Sequence, residues 1–527
     1  MTFPKITRRR IFASVAGSSI LPTSMASTQS SVGVQAYPQT HAEKDAGVTP
    51  INYNHVAGNL LRYGTNAKPG TTDMSMAFQA AFDQQAKGGA AIYAPTGTYL
   101  VTSAISTSSA APFTLYGDGM GKTVIAKGAD GDCFVVTNSS AAHNQITISD
   151  LTISPGVASS TGSALNLACT GIIPSVTLRN VMVLCGGTGV FGYGIKLHNC
   201  GEVEMSRVFI YGNGPASMIG VSATQSVATT VYKFIGCSIY NVAYGVTFKN
   251  TTRPGIEGVE FYGCDFVNVQ CGVLFTNSFG TGYFPPQLTW IGGHIHASVR
   301  SFDLSIMTQI FIEGLLSYNT GNSQHIRLSN VSDVNIQGNT FVQIGGTADG
   351  IAMAAAPAGT LYGGIIAKNL FRMGANGSAV NLNATNMKNL TISDNQRVSG
   401  STTVNIGAGI LDGTVLILNN TPRDTIDIFD TTLTGAASMT LAGIRSDYCR
   451  IGAPGSATTC TVLTSRRAWD RAILECSSNL LTLQHNATNP DGFFLAGGVD
   501  YTFPATGGRI TLEKRYGGYW TEVARDG

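Results

Sequence analysis

Residues Val259–Phe275 read VEFYGCDFVNVQCGVLF. Apolar and polar residues alternate, break once at Gly263, and alternate again. That is the period of a half-buried strand that turns a corner. On this period Val259, Phe261, Cys264 and Phe266 point inward, and Glu260, Tyr262 and Asp265 point outward. The pattern recurs along the chain. Apolar–X–apolar triplets begin at Val176, Val203, Tyr232, Val259, Leu288, Ile310 and Val334, at spacings of 27, 29, 27, 29, 22 and 24 residues, and again at Leu390. A second triplet follows each (NVMVL, RVFIY, GCSIY, GCDFV), and then a third short strand (YGIKLHN, YGVTFKN, CGVLFTN, QHIRLSN). Two or three strands with no helix between them cannot bury a face alone, but stacked units enclose a continuous interior. The expected fold is all-β, a right-handed parallel β-helix with strands about 4.8 Å apart. Cys237 in YKFIGCSI takes the inward slot that Cys264 takes one coil later, so the two are expected to stack as buried thiols.

The composition agrees. Of 527 residues only 12% are charged, 43% are hydrophobic and 63 are Gly, which suits short strands and tight turns and argues against helical or disordered chains. A net charge of +2 provides no electrostatic footprint for nucleic acid. The N-terminus, MTFPKITRRRIFASVAGSSILPTSMAS, sets Arg8–Arg10 before an apolar run from Ile11 to Leu21, then small residues at Ser24-Met25-Ala26. Residues 1–26 read as an export signal, and Arg9-Arg10-Ile11-Phe12 is similar to the twin-arginine pattern. The expectation is a secreted or periplasmic protein with a linker over 27–50. No later run is long and apolar enough for membrane insertion. Ten cysteines fit no zinc spacing, and after export Cys449 and Cys460 could bridge a loop.

Upstream, Asp73 or Thr72 can cap a helix whose Met74, Phe78, Ala81 and Phe82 form one apolar face, and Gly88-Gly89 ends it. A short helix here suits a lid over the open end of the solenoid, where strand edges would otherwise be bare. The matching residues Asp73, Ser75, Ala77, Phe78, Gln79, Ala81, Gly88, Gly89, Tyr93, Pro95, Gly97 and Tyr99 make this segment resemble the opening of pectate-lyase-superfamily β-helix proteins. That group includes rhamnogalacturonase-type and epimerase-like domains and phage tailspike depolymerases. The resemblance implies a parallel β-helix over 51–429 and a carbohydrate polymer as ligand, and leaves the reaction open. Residues 430–527 read as short strands with glycine turns and resemble the small C-terminal β-sandwich of tailspike-like proteins. Capping the last coil is the plainest role for it, and the tailspike likeness implies a homotrimer. The paired-Asp and Gly-His-Gly signatures of polygalacturonases do not occur, nor does the Arg-x-Pro-x-x-Arg motif of calcium pectate lyases, which sets pectin aside as substrate.

Aligning the coils on their first inward residue puts Glu204, Lys233 and Glu260 in one outward column, Tyr262 beside it, and Asp265 next to His294 on the second strand. Glycosidic cleavage uses two carboxyl groups, one an acid and one a base or nucleophile. Glu260 and Asp265, on either side of Gly263, are the expected pair, with Lys233 holding Glu260 ionised and His294 serving Asp265. Glu204, Lys233, Tyr262 and His294, with Tyr283 and Phe284 from the insertion FGTGYFPPQ (279–287), are the expected sugar contacts. No cofactor is required for hydrolysis. Elimination from a uronate would instead use Lys233, His294 or Tyr262 as base, with a cation such as Ca2+ on the carboxylate. The plain alternative is a solvated Glu–Lys–Glu ladder. Glu313, with Tyr318 and His325 further along its coil, is a second candidate. His294 and His296 share one side of a strand but lack a third ligand, so no metal site is expected. Three functions stay open: a glycoside hydrolase on an exopolysaccharide or cell-wall glycan, a polysaccharide lyase on an acidic glycan, and a non-catalytic glycan-binding or adhesin solenoid.

Overall fold

The computed structural model describes residues 36–526 except 140–144, 159–160, 171–174, 188, 227–228, 252–254, 278–285, 355–360, 383–386, 407–415, 422–437, 441–447, 452–453, 465–470, 477, 487–490 and 515–517. The export segment, the insertion residues Tyr283 and Phe284, and the expected boundary at 429/430 all lie outside the described residues.

The chain winds into a parallel β-solenoid of about 12 turns. One coil shows the plan. Ile256–Tyr262 forms face 1, and Asp265–Asn277 bends at Asn268 to supply faces 2 and 3. Each face pairs in parallel with its counterpart on the neighbouring coils: Lys233 with Glu260 and Glu260 with Thr289, Asp265 with His294, Leu274 with Asp303. The corner between faces 1 and 2 is one left-handed residue, Gly263 at φ 57° in this coil. A residue without a Cβ meets no penalty there.

The slot after that corner points inward and carries the second device of the fold. Cys237 and Cys264 occupy it in two adjacent coils, both buried and both free thiols, as expected. Four later coils place Asn339, Asn369, Asn395 and Asn420 there, all nearly inaccessible. Asn339 Nδ2 donates to Asn369 Oδ1 at 2.9 Å, Asn369 to Asn395 and Asn395 to Asn420 at 3.0 Å. Each amide also donates to a carbonyl of the preceding coil's face 1 strand, Ile312 O for Asn339 and Ile336 O for Asn369. The backbone N–H groups of Leu315, Asn339 and Asn369 in turn donate to the side-chain oxygen one coil later. A polar ladder inside a solenoid is tolerable because every donor and acceptor in it is used.

Most of the rest of the interior is apolar stacking at the strand spacing. Phe234 lies on Phe261 at 4.6 Å and 15°, and Phe261 on Trp290 at 5.0 Å. Burying each such side chain is worth about 1.5–3 kcal/mol.

The helix Ser75–Ala86 closes the open end. Phe78 and Phe82 are fully buried against Phe134, Tyr99 and Phe113 of the first coils. Asp73 Oδ1 accepts from the Ser75 N–H at 2.9 Å, and Oδ2 accepts from Thr102 Oγ1 at 2.5 Å. Gln79 pairs with the bare strand edge as another strand would. Its Nε2 donates to Ser106 O at 2.8 Å and its Oε1 accepts from Ser106 N at 3.1 Å. The leading motif is thus an edge cap written in side chains.

Two expectations change. The linker ends early, because His41–Asp45 is a helix with a capping box, and its Glu43 is buried and clamped by Arg62 at 2.5 and 3.0 Å. In the C-terminal region Cys460 is a free buried thiol, so it forms no bridge to Cys449. That region has its own core, including Leu474, Phe493, Ile510 and Trp520. Its small sheets mix an antiparallel hairpin, Gly508–Lys514 with Trp520–Asp526, and parallel pairs at a one-coil offset, such as Thr458–Cys460 with Leu481–Leu483.

Candidate active site

The outward columns form as the alternation requires. Glu204, Lys233, Glu260 and Thr289 are successive register partners on face 1. Lys233 Nζ lies 3.8 Å from Glu260 Oε2, and Tyr262 Oη donates to the same oxygen at 3.1 Å. Among the described residues Lys233 pairs with Glu260 and makes no ion pair with Glu204. The Glu260 side chain is 15% exposed against 46% for Lys233, so the carboxylate is set down among its partners while the ammonium stays in water. Tyr262 stands between exposed Ile235 and Ile291 on the adjacent coils. Burial, then its hydrogen bond to Glu260, pushes its phenol up.

Across the Gly263 corner, Asp265 is half-buried and its carboxylate has no hydrogen-bond or ion-pair partner among the described residues. His294 is its register partner. The His294 ring stands perpendicular to Tyr318 at 5.4 Å, and its Nε2 is shielded from solvent without a partner. Burial lowers the His294 pKa, and the Asp265 charge only partly offsets this. His296 shares that outward face and also lies against Tyr318, at 6.4 Å. Among the described residues no three histidine, cysteine, aspartate or glutamate side chains gather as a metal site.

The second candidate comes apart. Glu313 is exposed on face 1, two coils along the Tyr262 column through Ile291. Tyr318 is on face 2. His325 is fully buried inside the solenoid, with Nδ1 2.6 Å from Ser317 Oγ, and burial pushes it down to about 3. A side chain inside the barrel cannot assist one outside it. Face 3 holds a charged cluster that the columns above do not include. Asp303, 7% exposed, accepts from Arg300 at 2.9 Å and from Arg327 at 2.8 Å. Its sequence signal was the same alternation carried into the third strand of each coil, where Leu274, Asp303 and Arg327 are register partners.

Residues 59–252 match the family model described as rhamnogalacturonase A/epimerase, pectate lyase-like. No curated protein matches the chain. Similar solved structures include the pre-mature gene product 12 of bacteriophage phi29, at 15% identity and TM-score 0.51, covering 77% of this chain and 63% of that one. The A-module of the mannuronan C-5 epimerase AlgE6 of Azotobacter vinelandii aligns at 15% identity and TM-score 0.48, over 69% of this chain and all of the module. PfbA, a surface adhesin of Streptococcus pneumoniae, aligns at 14% identity and TM-score 0.40, over 69% and 91%. At these identities the likeness to solved structures is one of fold. Over residues 59–252 the solenoid is thus similar to the rhamnogalacturonase A/epimerase, pectate lyase-like family.

Proposed function

We propose that this protein cleaves a polysaccharide by hydrolysis at the corner between faces 1 and 2, with Glu260 as base or nucleophile and Asp265 as proton donor. The observation that carries the reading is the contrast between the two carboxyl groups. A cation and a hydroxyl donor converge on Glu260, which supports reading it as the acceptor, whereas among the described residues Asp265 across Gly263 has neither kind of partner. Carboxyl groups in such different surroundings divide into acid and base. Two of the three bases an elimination would need are turned to Glu260, and the third is shielded from solvent. Lys233 faces Glu260, the Tyr262 phenol donates to Glu260, and the His294 Nε2 is shielded. The family description over 59–252 names a rhamnogalacturonase and an epimerase, both carbohydrate-polymer enzymes, which supports the substrate class.

Incubation with neutral and acidic polysaccharides, following reducing ends and the absorbance of unsaturated uronates together, tests this. Reducing ends without absorbance support hydrolysis; both signals together refute it in favour of elimination. Glu260→Gln and Asp265→Asn are each expected to slow cleavage by about 10²–10⁴-fold. A non-catalytic glycan-binding solenoid is favoured by exposed Ile235 and Ile291 on either side of half-buried Tyr262, and binding without either product signal would establish it. We also propose export by the twin-arginine route and a homotrimer, to be read from the N-terminus of the secreted protein and its mass in solution.

A further inference from the structure

Next to the Glu260 column, face 1 opens into a shallow cleft of about 370 Å³. Its walls are Gln287, Thr289, Gln309, Phe311, Asp333 and Asn335. Thr289, Phe311 and Asn335 continue the column beyond Glu260, one residue per coil. The cleft is therefore centred about 10 Å from Glu260 along the solenoid axis.

Three features of this cleft belong together. Gln287, Gln309 and Asp333 stand at the same corner of three successive coils, with φ of 70°, 56° and 53°. A side chain in the left-handed region costs about 1–2 kcal/mol. The next coil avoids that cost with Gly363 at φ 71°. Side chains rather than glycine thus overlook the cleft from all three corners, as Asn389 at φ 54° does at the same corner one coil beyond Gly363. Second, the polar groups have capacity to spare. Asp333 Oδ2 accepts from Thr308 at 2.6 Å and from Ser332 at 3.3 Å, and among the described residues Oδ1 has no hydrogen bond. Asn335 Oδ1 accepts from Gln337, which leaves its Nδ2 to donate. Third, Phe311 is the one aromatic ring among these six, half-buried and facing outward between Thr289 and Asn335. None of the six is a cation, and Asp333 is an anion.

We propose that this cleft is a saccharide subsite for an uncharged sugar unit, with Phe311 under the apolar face of the ring and Gln287, Gln309, Asp333 and Asn335 on its hydroxyls. An aromatic floor with amide and carboxylate rims suits a hydroxyl-rich ring. A uronate there would place its carboxylate beside Asp333 with no cation to receive it. The inference rests on the reading that the solenoid binds a polysaccharide, and it adds that the polymer carries a neutral unit two coils from the bond that is cut.

The test is calorimetric titration of the full-length protein with neutral manno-, gluco- and galacto-oligosaccharides and with oligogalacturonate and oligomannuronate, alongside Phe311→Ala and Gln309→Gly. A neutral oligosaccharide is expected to bind, and each variant to weaken it by about tenfold. Gln309→Gly also relieves the left-handed corner, so it should melt no lower than the parent, which separates lost contact from lost fold. Wild-type affinity for a neutral oligosaccharide in both variants, or preference for the uronates, overturns the subsite and leaves the cleavage reading intact. Failure of every saccharide to bind, with no cleavage of any polysaccharide, overturns both.

Discussion

His325 offers the sharpest test of the interior. It is fully buried between coils, with Ser317 Oγ at 2.6 Å from Nδ1, Ser301 beyond it at 2.7 Å, and the ring edge-on to Phe341 at 5.5 Å. Burial lowers its pKa from 6.5 to about 3. Above pH 6.5 the imidazole is neutral in both the folded and the unfolded chain and contributes nothing to the pH dependence. Between 6.5 and 3 the unfolded chain takes up a proton that the folded chain refuses, so stability falls as pH falls. At 1.36 kcal/mol per pH unit, the loss reaches about 2 kcal/mol at pH 5. For a cooperative unit of several hundred residues that is about 2 °C in Tm. The assay is thermal melting of the wild type and His325→Leu at about pH 7.5 and pH 5. The variant has its own constant cost from the lost Ser317 bond, so the readout is the change in the gap between the two melting temperatures. The wild type should lose about 2 °C on the variant at the lower pH. A gap that does not move with pH would mean that His325 reaches solvent or a proton acceptor, and the placement inside the barrel would be wrong.

The remaining predictions are independent of that result. Asn369→Ala removes four hydrogen bonds, strands the Asn339 N–H and one Asn339 side-chain donor, and should cost about 2–5 kcal/mol, read as faster amide exchange in the coils around 339 and 395. Lys233→Met should change stability by less than about 1 kcal/mol, because its side chain is 46% exposed. The same change should slow polysaccharide cleavage, and unchanged cleavage kinetics would remove Lys233 from the site. The buried thiols, with burial pushing Cys133 and Cys271 up to about 12, should resist a thiol reagent in the native protein and react on unfolding. Rapid native reaction at any of the nine buried thiols would show that the coils open.

What could be read from residues alone was whatever depends on period. Alternation sets which side a residue faces, and a parallel stack sets which residue of the next coil it meets. Those two rules place Glu204, Lys233 and Glu260 in register and Asp265 beside His294. They failed where a coil departs from its neighbours. His325 looks like an outward polar residue of a wet face, yet it is fully buried, its ring hydrogen-bonded to Ser317, which holds an inward slot between Ile295 and Phe341. The asparagine ladder was visible as GN, KN, DN and NN before each second strand. Its meaning depends on the slot being inward, which an amide residue on its own does not suggest. Glu43 was read as linker because its partner Arg62 lies 19 residues away, and no local pattern links them.

The same rules bear on how a solenoid builds a site. A column repeats one position every coil, so adjacent coils tend toward a ladder of like surroundings, and chemistry needs that uniformity broken. Here it is broken twice within one short stretch. On face 1 the cation of Lys233 falls beside Glu260 alone, and Tyr262 turns its hydroxyl to the same oxygen. On face 2, one corner later, Asp265 has no such partner and meets a histidine held neutral by burial. Both carboxyl groups stand outward on parallel strands, and their surroundings differ through Tyr262 on the same strand and through the side chains of the neighbouring coils. Exchanging neighbours should therefore exchange behaviour. Ser238 is the face 2 partner of Asp265 on the preceding coil, as Lys233 is for Glu260 on face 1. Ser238→Lys would give Asp265 a cation and bias it toward the charged form. If Asp265 is the proton donor, that variant should lose cleavage while retaining affinity for the polysaccharide, and the loss should ease as pH falls. A variant that cleaves normally would show that Asp265 does not deliver the proton.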